Sequence, residues 1–258
     1  MMISTVQIIS PLLILATGLI GGTFSLRLTE GRSRFNWLSF GNAFAGGIFL
    51  GAGLIHMLPD AFQGFAAIEG GSDFPWAAVT ACFSIALMLL LERVVIRGHD
   101  ALENTSATTS RYTPYILTLV LSVHSMIAGI ALGAEETVGK ASVILFAILA
   151  HKGSAAFALG VNLHRNSFST GRAKRILILF SFTTPVGVVL GAGLSALISG
   201  PGEEIFEAIF DALAAGTFLV IALMDVVSEE LSYEKNIVVN FVLFLAGLVL
   251  MAVLAAWL

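Results

Sequence analysis

The sequence predicts an all-α polytopic membrane protein: eight transmembrane helices with inverted-repeat character and both termini on the non-cytoplasmic side. Three observations carry that prediction. Hydrophobic residues make up 57% of the 258 residues, and mean hydropathy is +0.94. Charged residues are only 12%, about half the share usual in a soluble domain. Apolar stretches of the ~20 residues a spanning helix needs recur along the chain and leave little over for a soluble domain. Residues 1–258 therefore read as one transmembrane domain embedded in a lipid bilayer.

The stretches fall at residues 5–26, 38–64, 75–96, 114–138, 141–163, 176–199, 207–231 and 237–257. The first has no basic segment before it and is too long for the apolar part of a cleavable leader, so it reads as a span. The second carries His56 and Asp60 near its far end. The third holds Cys82, the single cysteine, so no intrachain disulfide forms. The fourth starts near Pro114 and contains His124, and the fifth contains the adjacent pair His151 and Lys152. Gly47-xxx-Gly51, Gly129-xxx-Gly133 and Gly187-xxx-Gly191 mark close helix contacts in the second, fourth and sixth, because small residues let backbones approach in lipid. The seventh carries Asp225, Glu229 and Glu230. The 97–113 link is polar and reads as a cytoplasmic loop.

Basic residues set the orientation. The 1–2, 3–4, 5–6 and 7–8 links hold Arg27, Arg32, Arg34, Arg93, Arg97, Arg111, Arg165, Arg172, Lys174, Arg175 and Lys235, and the opposite side holds only Lys140. The even side is the cytoplasm by that rule. Acids gather on the other side, at Glu69, Asp73, Glu135, Glu136, Glu203, Glu204 and Glu207. They either draw cations toward an entrance or are ordinary solvated loop ends. No basic patch with interleaved aromatics occurs, so nucleic acid is not a partner.

An internal echo singles out two helices. GGIFLGAGLIHMLPDA at 46–61 aligns without a gap to AGTFLVIALMDVVSEE at 215–230, with His56 opposite Asp225 and Asp60 opposite Glu229. In each segment the two polar side chains are four apart and share a face. The second and seventh helices run in opposite directions, the arrangement of an inverted repeat, and such repeats frame transport sites near the midplane.

His124 and His151 each lie about ten residues inside their spans, which at 1.5 Å per residue puts both imidazoles near mid-depth. A lysine at a helix centre costs roughly 2.5–3.5 kcal/mol on insertion scales. His56, His124, His151, Lys152 and Asp225 together therefore read as a polar pathway. Imidazole and carboxylate suit borderline divalent ions such as zinc, iron(II) or manganese(II). His124 and His151 supply nitrogens, and Ser125 and Asp225 add oxygens. His56 with Asp60 forms an outer station, and Asp225, Glu229 and Glu230 form an inner one. Transport needs a string of sites that release the ion.

These motifs resemble a known family. HSMIAGIALG and HKGSAAFALGVNL are similar to the fourth- and fifth-helix signatures of the ZIP (ZRT/IRT-like) divalent metal transporters, and His-Lys in the fifth helix resembles the branch with several animal plasma-membrane zinc importers. HMLPDAF, TTPVGVVLGAG and GTFLVIALMDVVSEE resemble the family's second, sixth and seventh helices. The resemblance implies import of zinc, or of iron or manganese, into the cytoplasm, with the metal as substrate and no resident cofactor. It also implies the plasma membrane and, with the glycine-rich faces, a homodimer. The family often has acids four residues beyond each motif's first position, where this chain has Ala128 and Ala155. Without those bridging carboxylates, and with the Lys152 ammonium standing in for a second cation, the central site takes at most one metal, held mainly by His124 and His151. The family's long histidine-rich cytoplasmic loop is missing, and only His99 and His164 lie near cytoplasmic ends.

Three rival readings stay open: a proton-driven transporter of another solute, an intramembrane hydrolase, and a transport-deficient scaffold or metal sensor. The chain has no HExxH helix and no GxSxG elbow, which weighs against the hydrolase. The two alanines favour the scaffold, and the retained histidines oppose it. The orientation makes one direct prediction. Asn104-Thr105-Ser106 is a glycosylation sequon that faces the cytoplasm and stays bare; a gel shift on deglycosylation that maps to Asn104 would reverse the topology.

Overall fold

A computed structural model of the chain, described for residues 5–29, 35–67, 74–90, 113–135, 137–198, 201–231 and 236–256, consists of helices and short turns with no strand among those residues. Helix α1 is Thr5–Thr29. Helix α2 is continuous through three parts, Phe35–Gly51, a π-helical Ala52–Met57 and Leu58–Ala66. Helices α3 to α6 are Trp76–Leu89, Thr113–Ala134, Val138–Arg165 and Thr170–Ile198. Helix α7 again has three parts, Pro201–Val220, a π-helical Ile221–Val227 and Ser228–Glu230, and α8 is Ile237–Ala255. Seven of the eight are long and apolar enough to cross a bilayer. The third is described over 14 residues; the rest of its expected span, the 97–112 part of the polar link, and the sequon lie outside the described residues.

Several helices outrun their apolar windows, because helix propagation adds one hydrogen bond per residue once a turn exists. Helix α7 starts at Pro201 rather than 207, since a proline at the first helical position costs no ladder bond. Between α4 and α5, Glu135 accepts bonds from the Thr137 N–H and hydroxyl, both at 2.7 Å, and tightens the turn. Helix α5 ends in a Schellman turn: the Phe168 N–H reaches the Leu163 carbonyl around Ser167, which holds φ 59° where glycine is usual.

The helices form two groups. In one, α1 packs on α5 and α6, and α4 on α6; in the other, α2 packs on α8, α3 on α7, and α2 on α7. The groups meet where α5 lies on α2 and α4 on α7. Exchanging α1 with α6, α2 with α7, α3 with α8 and α4 with α5 maps this set of packings onto itself, with α1–α6 and α2–α7 each its own counterpart. Helices α2 and α7 are antiparallel, since Gly46 faces Val226 while Gly53 faces Ala215 and Phe218. This is the inverted repeat that the echo between 46–61 and 215–230 anticipates. The symmetry reaches the backbone: the π-helical stretches begin at Ala52 and Ile221, which are opposite each other in that alignment. Just beyond each stretch, at equivalent positions, α2 has Pro59, which donates no N–H, and α7 has Ser228, whose hydroxyl bonds back to the Met224 carbonyl. Both disturb the regular ladder by a known route.

The glycine pairs act as packing contacts. A Cβ on Gly133 of α4 would lie 2.1 Å from the Val188 carbonyl oxygen of α6, and one on Gly191 of α6 would lie 2.1 Å from the Ile130 carbonyl oxygen of α4. The intruding atom meets backbone, which cannot rotate away. Gly133→Ala is therefore expected to destabilise the protein by about 1–3 kcal/mol through overpacking, read as a lower melting temperature in detergent. Gly139→Ala, whose Cβ would meet nothing within 4 Å, is expected to melt like the parent.

Candidate metal pathway

A cavity of about 480 Å³ runs into the helix bundle from the end where α2 and α4 finish and α5 and α7 begin. Lys140, Gln63, Gly64 and Glu207 line its mouth end, His56, Asp60 and Asp211 come next, and His124 and His151 lie deepest along their helices. His56 Nδ1 lies 2.9 Å from Asp60 Oδ2, four residues on. His56 sits in the π-helical stretch of α2 and Asp60 in the α-helical turn after it.

His124 and His151 face each other across the α4–α5 contact, ring centroids 5.7 Å apart. Both rest on Phe218 of α7, at 5.0 and 6.2 Å. Phe218 is fully buried and packs on Phe49 of α2 at 5.1 Å, so an aromatic pair lies under the histidines. His151 is 6% exposed. His124 Nε2 and His151 Nδ1 are buried ring nitrogens without a hydrogen-bond partner. An unpaired buried donor or acceptor costs ~1–3 kcal/mol, and two such nitrogens on neighbouring rings are of the donor type that suits a borderline divalent ion. Among the described residues no three His, Cys, Asp or Glu side chains converge closely enough to hold an ion together.

Lys152 points elsewhere. It is 1% exposed, and its Nζ donates to Ser125 Oγ at 3.0 Å, the Phe180 carbonyl at 2.9 Å and Thr183 Oγ1 at 3.3 Å, while lying 3.6 Å from the Phe180 ring centroid. Three acceptors and a cation–π contact offset its desolvation. The lysine thus ties α5 to α4 and α6, and Ser125 Oγ is engaged by it away from the cavity lining.

Glu230 lies at the opposite end of the bundle, 3% exposed. Its Oε1 accepts from Asn42 Nδ2 at 2.8 Å and from Arg165 at 2.5 Å, and its Oε2 accepts from the Ser39 hydroxyl. Asn240 Nδ2 donates to the Glu230 carbonyl at 2.8 Å and to Ser39 Oγ at 3.0 Å. The Glu230 carboxylate ties α7 to α2 and α5, and Asn240 of α8 joins the knot through the Glu230 backbone carbonyl and Ser39. Between it and the histidines lies apolar core: Leu121, Ala155, Leu159, Ile221 and Ala222. One end is open and the other is shut.

His56, Asp60, His124 and His151 of the sequence-derived set thus line one cavity. Asp225 and Glu229 lie on α7, in and after its π-helical stretch, and their side chains are outside the described set. Of the acids near that face, Glu207 lines the cavity, Glu135 is held by Thr137, and the rest lie outside what is described. Sequence reading passed over Asp211, Asn42, Arg165 and Phe218. A signal for two of them existed: the echo extends upstream, with Asn42-Ala43-Phe44-Ala45 matching Asp211-Ala212-Leu213-Ala214.

Comparison with known proteins converges on one family. The family described as ZIP Zinc transporter matches residues 4–101 and 96–255. The chain is 28% identical over 254 residues to zinc transporter ZIP1 of Homo sapiens, covering 85% of this chain and 78% of that protein. It is 25% identical over 257 residues to zinc transporter ZIP2 of Mus musculus (82% of each) and 29% identical over 249 residues to zinc transporter 11 of Arabidopsis thaliana (86% and 76%).

The Glu230 knot generates a prediction. Removing one partner of a buried ion pair costs ~3–5 kcal/mol, whereas removing both costs far less. Arg165→Ala is expected to lower thermal stability strongly, and Arg165→Ala with Glu230→Gln to recover part of the loss. The four melting temperatures of this double-mutant cycle in detergent measure the coupling.

Proposed function

The chain belongs to the ZIP zinc transporter family, and on that premise we propose that it carries divalent metal ions, zinc foremost, into the cytoplasm. It is an integral, multi-pass membrane protein, with spans that match the family along nearly the whole chain. The observation that carries the proposal is the His124–His151 pair, whose unpartnered ring nitrogens lie at the closed end of a cavity lined with acids. Neutral imidazoles of that kind are good ligands for borderline divalent ions.

The basic residues of the α5–α6 turn put the shut end on the cytoplasmic side, so the cavity faces outward. A cation arrives at the mouth, drawn by Glu207, Asp60 and Asp211. It exchanges water for His56 and Asp60, and then for His124 and His151. Phe218 blocks further travel and the Glu230 knot holds the inner end closed. Delivery therefore requires the aromatic pair and the knot to part, which opens the way to Asp225 and Glu229. Ala128 lines the cavity and Ala155 is buried in apolar core, so no bridging carboxylate stands beside the histidines and one ion at a time occupies the centre. On the family resemblance the proposal places the protein in the plasma membrane as a homodimer.

The test is uptake of radiolabelled zinc by cells expressing the chain, with competition by iron(II) and manganese(II). Saturable uptake is expected, falling ~10–100-fold or more in His151→Ala at equal surface abundance, since losing even a supporting partner of a metal ligand costs that much. Absence of uptake of any of the three metals by the parent chain would transfer the reading to a metal-sensing scaffold.

A further inference from the structure

We infer that Asp211, on α7, is a third member of the outer metal station, a carboxylate that receives the cation together with His56 and Asp60 and sets the affinity with which it is taken up. The inference rests on the transport reading and adds to it a residue from the opposite half of the repeat.

Four observations support it. Asp211 lines the cavity shared with His56 and Asp60, and it interacts electrostatically with both. It projects on the α7 face that leads inward: Glu207, Asp211 and Phe218 are spaced i, i+4 and i+11, and the first two line the cavity while the last carries the histidine rings. Below it, His151 is more than nine-tenths buried, lines the same cavity and keeps its Nδ1 unpartnered, so the cavity has a destination for a cation. The repeat supplies the fourth. Asp211 is equivalent to Asn42, which on the shut side reaches across the α2–α7 seam and donates to Glu230 at 2.8 Å. The same position in both halves thus serves the acids of the facing helix, with an amide where the end is locked and a carboxylate where it is open. An amide binds a neighbouring carboxylate and closes a seam. A carboxylate repels one, and the pair is reconciled by a cation between them.

In this conformation Asp211, His56 and Asp60 do not meet at a point. The station is an electrostatic landing site of two carboxylates and an imidazole, loose enough to pass the ion on. Such a group contributes binding before the translocation step and little to the step itself, so its loss raises KM and leaves Vmax nearly unchanged.

The experiment is zinc uptake against concentration for the parent, Asp211→Asn, Asp211→Ser, Asp60→Asn and His151→Ala, each normalised to surface abundance. Asp211→Asn and Asp211→Ser are expected to raise KM by about tenfold with Vmax within a factor of two, as Asp60→Asn does, while His151→Ala loses Vmax. Asp211→Glu is expected to restore a KM near the parent's. A parental KM in either neutral variant, beside a raised KM in Asp60→Asn, would overturn the role of Asp211 and leave the transport reading standing. A loss of Vmax at unchanged KM would also overturn it, marking a structural role. Absence of uptake by the parent would remove the transport reading and this inference together.

Discussion

Lipid offers no hydrogen-bond partner, so every polar atom inside the bundle must find one within the protein or carry the cost of lacking it. Most of the buried polar groups among the described residues obey. Lys152 has three acceptors and an aromatic face. Glu230 is saturated by Ser39, Asn42 and Arg165. Gln7 of α1 donates to the carbonyls of Gly133 and Glu135, and Ser84 of α3 donates to that of Leu213 on α7. Against this background His124 and His151 stand out: both have an unpartnered nitrogen, and both line the cavity. The remaining unpartnered buried atoms among the described residues, Ser10 Oγ, Thr184 Oγ1 and Asn240 Oδ1, lie away from it. The two unpaired nitrogens are themselves sealed from solvent, a cost that a purely structural histidine avoids.

The same constraint explains why the two ends of the bundle differ although the repeat makes them alike. The pseudo-twofold exchange places Asn42 where Asp211 is and Ala61 where Glu230 is. At one end α7 contributes a carboxylate that α2 and α5 satisfy, with α8 bonded to the same residue's backbone carbonyl, and the seam closes around it. At the other end His56 and Asp60 pair with each other within α2 rather than across the seam, and a cavity lined by both and by Asp211 opens there. An inverted repeat with unequal polar residues yields an asymmetric conformation from a symmetric scaffold. The matched π-helical stretches, at Ala52–Met57 and Ile221–Val227, give both seams a wider helical turn. Such turns recur where helices carry functional residues.

Helix contact is close wherever α4 meets α6 and α2 meets α8. Gly47 and Gly247 sit so near the carbonyls of Phe244 and Phe44 that no side chain fits. These glycine seams bind the helices within each group closely, and the cavity lies at the surface between the groups. Phe218 belongs to that surface: it touches both histidines and Phe49 and is fully buried beneath the two rings.

Much of this was legible in the residues themselves. Eight apolar runs determine an all-helical membrane fold because lipid permits no other satisfied backbone for them. The echo between 46–61 and 215–230 foretold antiparallel partners, and the mid-span His124 and His151 line one cavity. What one chain's order leaves open is direction around a helix at the resolution of a single bond. Ser125 stands one residue from His124, and Lys152 one from His151, and a step of one residue turns a side chain by about 100°. The tertiary packing therefore decides that the two histidines share a cavity while Ser125 and Lys152 bind each other outside it. It also decides that Glu230 is a lock, because its partners come from positions 188, 191 and 65 residues away along the chain. Composition and periodicity sum over many residues and survive such small rotations; the chemistry of a site depends on each one, and only the assembled helices set them.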